Sequence, residues 1–130
     1  MESVFAMAIT YGRTITHLRD ELVKELGDSI ESIVLYGSIA RDEADEESDI
    51  DILVVTRENN KKIHDRISRI RTTIDLNNNT LTALVQMNRN ELERYIKLGS
   101  PFMESVVEEG VILHDDGFFE NVRKNLAFKG

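Results

Sequence analysis

Four residues near the middle of the chain have the types and spacing to do chemistry together. In "YGSIARDEADEESDIDILVV" (residues 36–55), Gly37 and Ser38 follow one apolar run, and Asp49 and Asp51 open the next. Residues i and i+2 of a strand project from one face, so Asp49 and Asp51 would stand side by side while Ile50 and Ile52 enter the core. Two carboxylates 4 Å apart repel by about 4 kcal/mol at an effective dielectric of 20. Without compensation, one of them tends to hold its proton. A divalent cation removes the conflict. Hard oxygen ligands suit Mg²⁺ (or Mn²⁺), which takes one or two carboxylates and fills its remaining positions with water and substrate phosphates. The Gly-Ser turn offers the complement, because its backbone N–H groups and the Ser38 hydroxyl can donate to an anion. If the two strands are neighbours, one side supplies donors and the other supplies metal. That is the arrangement of phosphoryl or nucleotidyl transfer, in which positioning and electrostatics do most of the catalysis.

The elements that would position these residues are legible in the hydrophobic pattern. Met7, Tyr11, Ile15, Leu18, Leu22 and Leu26 recur at steps of four and three, which predicts an amphipathic helix stopped by Gly27. "IESIVLY" (30–36) reads as a buried strand running into Gly37-Ser38, and "DIDILVVT" (49–56) as a second strand. Ile63, Ile67, Ile70 and Ile74 predict a helix from Asn59 or Asn60, basic on its other sides and ended by "NNNT". "LTALVQM" (81–87) predicts a third strand, with Leu81, Ala83, Val85 and Met87 alternating. Asn88 or Asn90 caps a helix running to Leu98; Gly99 stops it, Ser100 caps the next, and Pro101 suits that helix's first turn. "VILH" is a last short strand. The tail "DDGFFENVRKNLAFKG" carries apolar residues that read as a partly exposed surface for a homodimer or partner. The predicted fold class is α/β, a two-layer sandwich with one mixed sheet of three to four strands and helices packed on it.

Bulk properties narrow the partners. The chain has 130 residues, 41% hydrophobic and 31% charged, which suits a single soluble domain over 1–130. It has no cysteine, so disulfides and thiolate metal sites are excluded. Its N-terminus resembles neither a signal peptide nor a membrane span, and the chain reads as cytoplasmic. A net charge of −8 repels phosphate backbones and argues against non-specific nucleic-acid binding. A small phosphate ligand bridged by a cation, or a basic partner protein, remains compatible. Asp42, Glu43, Asp45, Glu46 and Glu47 read as a solvated loop. His17, His64 and His114 are dispersed and make no metal set. Gly99-Ser100 has no Asp-x-Asp at suitable distance and is explained as a helix stop and cap.

The stretch "GSIARDEADEESDIDILVV" resembles the GSxAR…SDxDLLV signature of the DNA polymerase beta-type nucleotidyltransferase superfamily, and most closely its small minimal nucleotidyltransferases. The resemblance implies that Gly37 and Ser38 hold nucleotide phosphates and that Asp49 and Asp51 are catalytic and bind Mg²⁺. Arg41 matches the signature arginine on the nucleotide side. It further implies ATP or another NTP as substrate and a nucleotidyltransferase-type fold. Some members act as antitoxins that adenylylate a tyrosine of a HEPN-type partner toxin. The expected function is therefore Mg²⁺-dependent transfer of a nucleoside monophosphate, AMP from ATP, to a hydroxyl acceptor on such a partner. A small-molecule acceptor such as an aminoglycoside fits larger family members that carry a second domain.

Two departures from the family pattern stand out. Asp42 occupies a place after the arginine where the family often has glycine; Asp accepts turn conformations. Family enzymes also carry a third carboxylate on a later strand, and no Asp or Glu lies between Asp75 and Glu91. The alignment places Ala83 there; Asp75 would serve only if "TTIDL" were the strand. The alternative function is a catalytically degenerate module that senses nucleotide or binds a partner without turnover.

Overall fold

A computed structural model of the chain describes residues 4–45 and 47–129, without the side chains of residues 4–10 and 127–129. Met7 of the first helical stripe and Glu46 of the acidic loop lie outside the described side chains. The centre is a pair of apolar strands, β1 (Ile30–Tyr36) and β2 (Ile50–Thr56), buried along nearly their whole length. A strand buried at consecutive positions has apolar residues on both faces, and both need cover.

On one face, Ile33, Leu35, Ile52 and Val54 pack against α1 (Val4–Leu26) and α3 (Lys61–Asn78) through Leu18, Leu22, Ile67 and Ile74. On the other, Val34, Leu53 and Val55 meet Met87 of β3 (Thr82–Asn88) and Leu92 of α4 (Arg89–Lys97). The same cluster takes Val107 of α5 (Pro101–Glu109) and Phe119 of α6 (Phe118–Lys129). With β4 (Val111–Asp115) the strands form one mixed sheet in the order β3-β2-β1-β4. β1 is antiparallel to β2 and β4, while β2 is parallel to β3. The α/β class and single mixed sheet are as expected. The sheet and the α1–α3 side make the expected two layers, and α4 to α6 add cover to the second face. A four-residue helix, α2 (Gly37–Ala40), leaves the end of β1. Among the described residues no helix is long and apolar enough to cross a membrane.

Caps fix the helix starts. The Asn60 side chain accepts from the Ile63 N–H, Asn88 forms a capping box with Glu91, and Ser100 accepts from Met103 with Pro101 following. The tail expectation is corrected for its two leading aromatics. The Asp115 carboxylate accepts from the N–H groups of Phe119 and Glu120, and Asp116 accepts from Phe118, which starts α6. Phe118 and Phe119 are buried, and the Arg89 guanidinium lies 4.5 Å over the Phe118 ring while pairing with buried Glu31. Phe118 and Phe119 of the tail are therefore core, while Val122 and Leu126 are half-buried against the same cluster, and the side chains of residues 127–129 lie outside the described residues.

Strand β3 begins at Thr82, one residue later than the alternation suggests, and Leu81 is exposed beside this edge strand. Asp75 lies in α3, so "TTIDL" is not a strand. Its buried carboxylate accepts from the Thr82 N–H at 2.9 Å and from the Thr80 and Thr82 hydroxyls at 2.8 Å each. Those bonds tie the end of α3 to the start of β3. Asp75→Ala leaves buried donors unpaired, and we expect a loss of roughly 2–3 kcal/mol in urea denaturation. A loss below about 0.5 kcal/mol would mean that the junction is held by something else.

Candidate active site

The β1–β2 register places Tyr36 opposite Asp51. The chain then turns at Gly37 with φ +77°, a conformation side chains rarely adopt. A Cβ at Gly37 would lie 3.0 Å from Asp51 Cγ and closer still to Oδ2. Only glycine lets the turn sit against that carboxylate. Ser38 follows in α2, where Glu43 N–H donates to the Ser38 carbonyl at 2.8 Å and Arg41 N–H to the Gly37 carbonyl at 3.1 Å. Tyr36 stands at the N-cap of α2 but makes no side-chain capping bond. The first N–H groups of the turn are the donors a phosphate would take.

Asp49 is exposed just before β2, and Asp51 is half-buried within it. Burial pushes the Asp51 carboxyl above the usual carboxylate range, the Asp49 charge pushes it further, and Arg41 opposes both. Burial also raises the Tyr36 phenol, helped by the charge of Asp51. Arg41 is exposed and shared between two acids, its Nε 3.2 Å from Glu43 and its Nη1 3.6 Å from Glu109 at the end of α5. The structure thus brings Gly37, Asp49, Asp51 and Arg41 together, with Ser38 on the same turn.

Ala83 is the partner of Asp51 in the parallel β2–β3 ladder, and it is exposed. The place of a third acid beside Asp51 is therefore taken by a methyl group. Among the described residues no group of three or more His, Cys, Asp or Glu is arranged to hold a metal. Two carboxylates still fit a hard divalent cation, which needs only one or two from the protein.

Several contributors escaped the sequence reading. Tyr11 donates to the Asp45 carbonyl at 2.9 Å and the Ser48 carbonyl at 3.3 Å, tying α1 to the loop that delivers Asp49. Asp45 is part of a built turn, since its N–H donates to Ser48 Oγ and its carboxylate accepts from the Glu47 N–H. Tyr36 meets half-exposed Phe102 edge-on at 5.5 Å. The Tyr11 and Tyr36 contacts join residues far apart in the chain and leave no local pattern. Asp42, at the position where the family often has glycine, has φ +58°, a left-handed conformation that glycine adopts readily and Asp tolerates.

A carboxyl whose pKa is higher folded than unfolded binds its proton more tightly in the native state, so stability falls as pH rises through that range. Asp51→Asn should therefore raise the metal-free melting midpoint at pH 7 by a few degrees at most. The advantage should close below about pH 4, where both states are protonated. A melting series across that range checks it; a variant less stable than wild type at neutral pH contradicts it.

No curated protein matches the sequence at a significant level. A toxin-antitoxin crystal structure with AMP-PNP resembles the chain at TM-score 0.60 and 17% identity, covering 88% of this chain and 86% of that one. A candidate nucleotidyltransferase from Sulfolobus solfataricus gives 0.53 at 20% identity, covering 82% and 85%. A mutant of the toxin-antitoxin MntA-HpeT gives 0.56 at 16% identity, covering 85% and 82%. At such identities the likeness is one of fold. The model of the nucleotidyltransferase domain family matches residues 15–114, a span that contains Gly37, Ser38, Arg41, Asp49 and Asp51, and the chain belongs to that family.

Proposed function

We propose that the chain is a minimal nucleotidyltransferase domain that transfers a nucleoside monophosphate, AMP from ATP, to a hydroxyl of a partner protein. The observation that carries this reading is the contact of Gly37 with Asp51, which sets a phosphate-binding turn against a carboxylate pair. Asp49 and Asp51 would hold Mg²⁺ or Mn²⁺. When bound, the cation neutralises charge on the phosphates and relieves the repulsion that pushes Asp51 up. The Gly37 and Ser38 N–H groups and the Ser38 hydroxyl donate to the β and γ phosphates. Arg41 exchanges Glu43 or Glu109 for the departing pyrophosphate, a charge-assisted contact.

Two of the structurally similar proteins are toxin-antitoxins, one with AMP-PNP and one a mutant in which two aspartates two positions apart are glutamates. They support an antitoxin role for this chain; the acceptor we propose, a tyrosine of a HEPN-type toxin, is the one the sequence resemblance implies. Ala83 rather than an acid pairs with Asp51, and among the described residues no three acids are grouped for a metal, which favours a second reading, a nucleotide-sensing or partner-binding module without turnover.

Titration calorimetry with Mg²⁺ and AMP-PNP separates these. Wild type should bind, and Asp49→Asn/Asp51→Asn should weaken binding by about 100-fold or more, about 2.7 kcal/mol. The same null result for both proteins would remove the nucleotide site. Incubation with labelled ATP and the product of the neighbouring gene should then label that protein, and the label should vanish with the double variant. Binding without label leaves the module reading.

A further inference from the structure

Asp51 shares its face of the sheet with two aromatic rings. Tyr36 is opposite Asp51 in the antiparallel ladder, so both side chains leave the sheet on one side. That is the side covered by α4 to α6, and Tyr36 packs against their cluster. Burial, and then the charge of Asp51, raise the Tyr36 phenol, which places that ring within electrostatic reach of the carboxylate. Phe102 of α5 meets the Tyr36 ring edge-on, with 5.5 Å between centroids, and is 50% exposed. Exposure of one aromatic is ordinary on a protein surface. This one is held in place. Ser100 caps α5, Pro101 starts it, and Met103 and Val106 beside Phe102 are buried. The ring thus presents one face at a fixed spot bordering the carboxylates.

The other end of α5 lies on the phosphate side. Glu109, its last residue, is 3.6 Å from Arg41, which follows the Gly37–Ala40 turn. Phe102 and Glu109 stand about 10 Å apart along the helix axis, at 1.5 Å per residue. The helix therefore runs beside the site from an aromatic ring to an arginine. A nucleoside triphosphate is built on the same scale, from a flat base to a charged pyrophosphate. Resting on the nucleotidyltransferase reading, we propose that Phe102 is a binding residue for the nucleobase. The base stacks on the exposed face of the ring while the phosphates lie at Gly37, Ser38 and Arg41. The edge contact with Tyr36 fixes the angle of that ring. Stacking uses the π-face that every base has, so Phe102 contributes affinity for any nucleoside triphosphate rather than choice among them.

The test sets inorganic tripolyphosphate, which carries the phosphates without a base, beside AMP-PNP, each with Mg²⁺ in calorimetry. Wild type should bind AMP-PNP more tightly. Phe102→Ala should weaken AMP-PNP by about 10- to 100-fold, the scale of base–aromatic stacking, and leave tripolyphosphate within about twofold. Phe102→Trp should keep the affinity of wild type. Because the chain has no tryptophan, that variant also carries a single indole. Its fluorescence should be quenched by AMP-PNP and not by tripolyphosphate. Equal affinity of wild type and Phe102→Ala for AMP-PNP overturns the proposal and leaves the ring as surface for a partner protein. So does an equal loss for both ligands, which would mark Phe102 as support for the turn through Tyr36. Quenching by both ligands, or by neither, overturns it as well. If wild type binds tripolyphosphate and AMP-PNP equally, only this proposal falls; if it binds neither, the nucleotidyltransferase reading falls with it.

Discussion

The mouth of the sheet depends on one close approach, Gly37 against Asp51. The antiparallel register of β1 and β2 sets Tyr36 opposite Asp51, and the next residue must turn across the carboxylate. A positive φ and the absence of a Cβ permit it. Both strands can hold that register because they are buried on both faces, where a slip of one residue would turn the apolar set inside out. The helices on each face thus matter to the site: they fix which residues meet at the strand ends, and Tyr11 of α1 and Glu109 of α5 reach its loop and Arg41.

The approach concentrates negative charge without neutralising it. Asp51 is partly withdrawn from water and sits beside Asp49, and the cation that opposes them, Arg41, is divided between Glu43 and Glu109. Elsewhere the molecule resolves such conflicts internally. Asp75 has three hydrogen-bond donors, Asp115 has Ser32 and the start of α6, and buried Glu31 has Arg89. The contrast sets the pair at residues 49 and 51 apart from the structural acids, and clefts with such unrelieved charge are where function concentrates.

Much of this was legible in the sequence because it is local. The β-branched runs gave β1 and β2, the stripes of four and three gave α1 and α3, and Asn60, Asn88 and Ser100 announced their helices. The Gly-Ser and Asp-x-Asp spacing singled out four candidate residues that the fold brings together, and the placing of Ala83 where a third acid was expected agrees with its pairing to Asp51 in the ladder. What failed was non-local or depended on which acids were structural. The start of α6 reads as an acidic tail unless Asp115 and Asp116 are recognised as caps whose helix buries Phe118 and Phe119. The link from Tyr11 to the loop and the Tyr36–Phe102 contact join residues 34 or more positions apart, beyond any periodicity. Leu81 fits the alternation of β3 yet is exposed: its carbonyl accepts from the Ile50 N–H at 3.0 Å, but it precedes Thr82, where this edge strand begins.

The central claim is that a turn and two carboxylates form one metal-phosphate site. The most direct measurement is an anomalous difference map from crystals grown with Mn²⁺ and AMP-PNP. The account predicts a manganese peak about 2.1–2.2 Å from an oxygen of each of Asp49 and Asp51, with the triphosphate lying along Gly37 and Ser38. Manganese held instead by the acids of residues 42–47, or a triphosphate bound away from Gly37, would contradict it.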